Sequence, residues 1–137
     1  MSTSIRQEIA ALRVVADHVR SASFLIADGA LPSNEGRGYV LRRILRRAIR
    51  FCQKISGGHS FLPEIAQVLM NEMSGFYPEL KERRDVIQAT LKDEQDRFVT
   101  TLGTGTAILN EELKKLKSKN QKEVPGDVVF KLYDTFG

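Results

Sequence analysis

Apolar residues recur at three- and four-residue steps through most of the chain, the period of helices that bury one face. Over residues 6–27 the stripe is Ile9, Leu12, Ala16, Val19 and Ala22, widened by Val15 and Ile26. Ser4 is placed to cap this helix, although it precedes Glu8 by four residues and a capping box needs three. Asp28-Gly29 reads as its stop, and "LPSNEGRG", residues 31–38, as a loop rich in turn formers.

A second helix is expected from about Gly38 to Ile55. With Leu41 at zero and ~100° per residue, Leu41, Ile44, Leu45, Ala48, Ile49, Cys52 and Ile55 fall within ~80° of zero. Arg42, Arg43, Arg46, Arg47 and Arg50 fall between ~100° and ~240°, so one face packs and the other is arginine. Like charges four apart, as in Arg42–Arg46, Arg43–Arg47 and Arg46–Arg50, cost a helix a few tenths of a kcal/mol each. A surface with a purely structural role would more easily mix glutamate into that set.

"SGGHS", residues 56–60, closes this helix. Pro63 suits the first turn of a short helix to about Ser74, with Ile65, Val68, Leu69 and Met73 as its apolar side. "GFYPEL" reads as a turn. A long amphipathic helix is expected from near Glu79, marked by Val86, Leu91, Phe98 and Leu102, and continuing past Gly103 and Gly105 to about Leu116. After the loop "KSKNQKEVPGD", residues 128–136 ("VVFKLYDTF") read as a short helix capped by Asp127, with Gly137 as a turn residue. No strand pattern and no internal repeat stands out. The expectation is an all-α helical bundle with one long amphipathic helix and one basic, arginine-rich helix. It forms a single domain over residues 1–137, with residues 1–5 a disordered or foreign lead.

The chain has 137 residues, 42% apolar and 28% charged, which suits one ordinary globular domain. A single cysteine, Cys52, excludes an internal disulfide and a Cys-rich zinc module. No apolar run approaches a membrane span, and the N-terminus lacks the apolar core of a secretory signal. A reducing, cytoplasmic setting and no membrane partner are expected. Charge changes the picture more. Of the net +4, seven basic residues and no acids lie between Arg37 and Lys54, while the remainder has fourteen Lys and Arg against seventeen Asp and Glu. One segment thus carries the basic character, and it points to a polyanionic partner.

Most charge runs are solvated helix faces. Here the run has a single sign, lies on one side of an amphipathic helix, and consists of arginine, the residue suited to phosphate forks and base edges. Only Tyr39 and Phe51 flank it, too little aromatic interleaving for single-strand stacking, so a duplex backbone is favoured. "EGRG" lacks the preceding strand and the following Gly-Lys-Ser/Thr of a phosphate loop. Its glycines suit close approach of a partner to the backbone. His18 and His59 have no metal-ligand spacing, and the Asp93-Glu94 and Glu111-Glu112 doublets read as solvated helix face. No nucleophile motif or acid–base pair emerges. Asn34 reads as a turn residue or N-cap, and Asp134 as a solvated carboxylate.

"LRVVADHVRSASFLIADGALPSNEGRGYVLRRILRRAIRF", residues 12–51, closely resembles the middle region of the alanyl-tRNA synthetase family, and "FKLYDTFG", residues 130–137, resembles a second stretch of it. The likeness extends from about Ile9 onward, and the chain reads as a piece of a longer protein. It implies a helical region between a class II catalytic domain and an editing domain, binding the acceptor stem of tRNA(Ala). In that family an Asn of the "PSN" loop and an Asp of the "LYDT" stretch read a G·U wobble pair, and Asn34 and Asp134 match them. Arg37, Arg42, Arg43, Arg46, Arg47 and Arg50 match the basic helix expected on the RNA backbone. The resemblance implies no cofactor and no catalytic residue in this piece. ATP, Mg²⁺ and the zinc of the editing domain belong to other parts of the parent. A helical DNA-binding module and a basic protein-interaction bundle stay open as alternatives.

Overall fold

A computed structural model describes residues 3–120 and 122–136. Met1, Ser2, Gln121 and Gly137, which fall in the expected lead, loop and terminal turn, lie outside the described residues. The elements are α1 (Thr3–Ala27), α2 (Gly36–Ser56), α3 (Leu62–Met73), α4 (Pro78–Glu82), α5 (Arg84–Ser118) and α6 (Gly126–Phe136), with no strand among the described residues. The chain divides into two compact units, Met1–Asp96 and Arg97–Gly137.

In the first unit α1 packs most extensively on α2, and also on α3 and α4. α1 ends as its Asp-Gly signal predicts. Gly29 is left-handed (φ +93°), the Ala30 amide bonds the Leu25 carbonyl at 2.9 Å, and the Gly29 amide bonds the Ile26 carbonyl, a Schellman closure. Gly57 (φ +72°) closes α2 in the same way, with the Gly58 amide on the Gln53 carbonyl. The core comprises Val15, Val19, Ala22 and Ile26 of α1, Leu41, Leu45, Ala48, Ile49 and Cys52 of α2, Leu62, Ala66 and Met70 of α3, Leu80 of α4, and Ile87 and Leu91 of α5. Phe24 and Tyr77 add an edge-to-face ring contact at 5.0 Å.

The face expected for α2 is the face buried, with Ile44 and Ile55 at its margins. Two other faces are rotated from expectation. In α1, Ala11 is buried while Leu12 is 55% exposed and Ala16 is exposed. In α3, Leu62, Ala66 and Met70 are buried while Val68 is 61% exposed. Both helices carry apolar residues on more than one side, and alanine at the seam lets a neighbouring helix come close. Several boundaries differ too. α1 begins at Thr3, so Ser4 lies within it and donates to Glu8 Oε1 at 3.3 Å instead of capping. α2 begins at Gly36. The expected long helix is broken at Arg83, outside helical geometry (φ −101°, ψ 13°), which separates α4 from α5.

α5 runs unbroken past Gly103 and Gly105, as expected. In the second unit α6 starts at Gly126, so Asp127 sits inside the first turn and not at the cap. Its carboxylate still suits the positive end of the helix dipole. No described helix is long and apolar enough to cross a membrane.

Candidate nucleic-acid interface

The loop before α2 is tied down by its own backbone. Glu35 holds the N-cap position in extended conformation (φ −146°, ψ 163°) without a side-chain cap bond. The Ser33 hydroxyl donates to the Glu35 carbonyl at 2.9 Å. Gly36 turns the chain at φ +59°. Gly38 is buried, and a Cβ there would collide with the Ser33 hydroxyl and the Leu31 carbonyl. The close approach expected for a partner at this glycine is thus made by the protein's own loop. The result is a fixed, exposed seat for Asn34 at the start of the arginine helix.

The arginines of α2 divide into two groups. Arg43, Arg47 and Arg50 lie along its outer edge, and Arg37 is exposed in its first turn. Arg43 lies over the Tyr39 ring (5.9 Å to the centroid) and Arg47 over the Phe51 ring (5.6 Å). These contacts, each between residues four apart, restrain the two guanidinium groups on the exposed side of the helix. Tyr39 and Phe51 therefore support the arginines.

Arg42 and Arg46 are half-buried and turn inward. Each donates Nε to the same atom, Oε1 of Glu94 on α5, at 3.1 Å. Glu94 is 3% exposed, so the reading of Asp93-Glu94 as a solvated doublet fails for Glu94. A carboxylate at that depth needs paired cations, and two arginines one turn apart supply them. The acid that α2 itself lacks is thus provided 48 and 52 residues downstream. Local periodicity contains no trace of such a pairing. Arg42 also donates Nη1 to the amide oxygen of Asn34. Glu94, Arg42 and Asn34 form one connected chain, from a buried charge to an exposed amide.

Beside this face a groove of about 340 Å³ is lined by His18, Tyr39, Val40, Arg43, Ile44 and Arg47. His18 is paired with Asp17 at 3.1 Å, and His59 is exposed. Among the described residues no three His, Cys, Asp or Glu side chains converge as a metal ion would require. Asp134 belongs to the second unit, exposed on α6 beside Tyr133, which is 78% exposed.

The family model described as tRNA synthetases class II (A) matches residues 3–137. An alanine–tRNA ligase of Bdellovibrio bacteriovorus is 66% identical over 127 residues, covering 93% of this chain and 14% of the relative. One from Neisseria meningitidis serogroup B is 52% identical over 132 residues, covering 96% of this chain and 15% of the relative. One from Bacillus subtilis is 50% identical over 127 residues, covering 93% and 14%. The chain thus spans about one seventh of the length of the curated relatives it matches.

Proposed function

The chain belongs to the class II (A) tRNA synthetases, and on that footing we propose that it is the acceptor-stem-binding region of an alanine–tRNA ligase, reading the G·U wobble pair of tRNA(Ala). The observation that carries the proposal is the outward edge of α2, where Arg43, Arg47 and Arg50 are exposed on a helix whose leading loop exposes Asn34. The arginines, with Arg37, grip phosphates and set register, which fixes position without reading sequence. Asn34 and Asp134 read base edges, reached through the wide, shallow minor groove of A-form RNA. A wobble pair leaves the guanine amino group without its usual partner, and the Asp134 carboxylate, an acceptor only, suits that donor.

On this reading the longer protein attaches alanine to tRNA(Ala) in the cytoplasm. ATP and Mg²⁺ act in a catalytic domain, and zinc in an editing domain, of the same parent chain. The test is a fluorescence-anisotropy titration of the 137-residue chain into a tRNA(Ala) acceptor-stem hairpin. Its G·C variant and a DNA duplex of equal length are titrated in parallel. Tighter binding to the G·U hairpin is expected. Equal binding to all three would reduce α2 to a generic basic surface.

A further inference from the structure

We propose that Arg42, held by buried Glu94, fixes the amide of Asn34 with its oxygen on the guanidinium and its NH₂ outward, and thereby sets the sign of the base contact. This rests on the reading role of Asn34 proposed above. An asparagine amide is ambivalent: it offers an acceptor oxygen and two donor hydrogens, and a half-turn about its last bond exchanges them. A free amide could therefore accept from a guanine amino group as readily as donate to a uracil carbonyl. The guanidinium of Arg42 has donors and no acceptor, so the Asn34 atom facing it is the oxygen. The exposed amide then presents its NH₂ to solvent, where it complements an acceptor such as the uracil O2 in the minor groove and opposes a donor.

Arg42 can impose this only if it is itself immobile. Its Nε is bonded to Glu94, whose side chain is 4% exposed, and Arg46 grips the same oxygen from one turn further along α2. The planar fork lets one side chain hold a buried carboxylate and an exposed amide together. Lysine, with one nitrogen, lacks the fork that spans the two. Arg42 and Glu94 are positioning residues, and of these three side chains Asn34 is the one that touches a base.

The experiment compares the 137-residue chain with Asn34→Ala, Arg42→Lys, Arg46→Lys and Arg42→Lys/Asn34→Ala. Two readouts are used: the ratio of affinities for the G·U and G·C hairpins, and the Asn34 side-chain amide signals in ¹⁵N-correlated NMR of the RNA-free protein. Asn34→Ala is expected to lower the ratio by about fivefold to a hundredfold, the range of one base contact. Arg42→Lys should lower it by a similar factor, with affinity for the G·C hairpin unchanged within about twofold, and the double variant should fall no further. Arg46→Lys disturbs the same carboxylate and should leave the ratio intact, which separates positioning from loss of stability. The Asn34 amide signals should be displaced from free-asparagine positions in the wild type and return toward them in Arg42→Lys. A wild-type ratio in Arg42→Lys, with the ratio lowered in Asn34→Ala, would overturn the positioning role and leave the base-reading role standing. An unchanged ratio in Asn34→Ala would overturn both. Unaltered Asn34 amide signals in Arg42→Lys would overturn the proposal whatever the RNA data show.

Discussion

Glu94→Gln is the sharpest probe of how this fold carries its arginines. The change keeps the size of the side chain and an oxygen in the position of Oε1, and it removes the charge. In the native protein that oxygen accepts two N–H bonds at 3.1 Å, from Arg42 and Arg46. Both bonds keep a charged donor and lose the charge on their shared acceptor; at ~1 kcal/mol for each bond, within the spread of charge-assisted hydrogen bonds, the change costs roughly 2 kcal/mol. Loss of the counter-charge for two half-buried guanidinium groups raises this figure. Water reaches Arg42 and Arg46, whose side chains are 17% and 26% exposed, and moderates it. Glu94→Ala leaves both cations without this carboxylate and should cost ~3–5 kcal/mol. For a chain of this length Glu94→Gln should lower the melting temperature by about 6–8 °C. Far-UV circular dichroism on heating, with urea titration to check that the slope is unchanged, measures it. A loss below about 0.5 kcal/mol for Glu94→Gln would refute the reasoning, since it would class the pair with water-screened surface bridges.

Gly38→Ala should destabilise the chain by ~1–3 kcal/mol, because its Cβ displaces the Ser33 hydroxyl and the Leu31 carbonyl, and should weaken hairpin discrimination by moving Asn34. Wild-type stability in a urea titration would contradict the tight seat. Leu45→Ala, at a fully buried position of α2, should cost ~2–5 kcal/mol on the same measure, and a cost near zero would remove Leu45 from the core. Cys52 is 1% exposed and should react with a thiol reagent only as the unit opens, so rapid labelling of native protein would contradict its burial. Asp134→Ala should reduce preference for G·U over G·C by ~1–3 kcal/mol while leaving gross affinity in place. An unchanged preference would take Asp134 out of the reading role.

What the sequence made legible, and what it hid, follows from range. α2 separates into an apolar and a cationic face within single turns, so its buried set could be named from periodicity alone. The Asp-Gly stop of α1 and the continuity of α5 past two glycines were equally local matters. α1 and α3 carry apolar residues on several sides, and there the choice of face is made by close packing at Ala11 and Ala66, which favours small residues over the larger Leu12 and Val68. Glu94 was hidden because a glutamate in a polar helix stretch looks the same whether it faces water or two arginines 48 and 52 residues away. The six arginines likewise look equivalent in sequence, and only the packing of α5 on α2 divides them. Asn34 stood out through family resemblance, whereas its bond to Arg42 needed the fold.

On the proposed function the outward arginines of α2 lie on an RNA backbone while the inward pair serves the fold. The measurement that tests it most directly is the salt dependence of acceptor-stem hairpin affinity, for wild type and for Arg43→Ala/Arg47→Ala/Arg50→Ala. All three side chains lie on the outer edge of α2, away from its buried face, so helicity should be kept. The expected log–log slope is shallower by about three units, one for each phosphate that an arginine no longer grips. An unchanged slope in a folded triple variant would contradict it, and would mean that the outer arginine edge does not meet the phosphates at all.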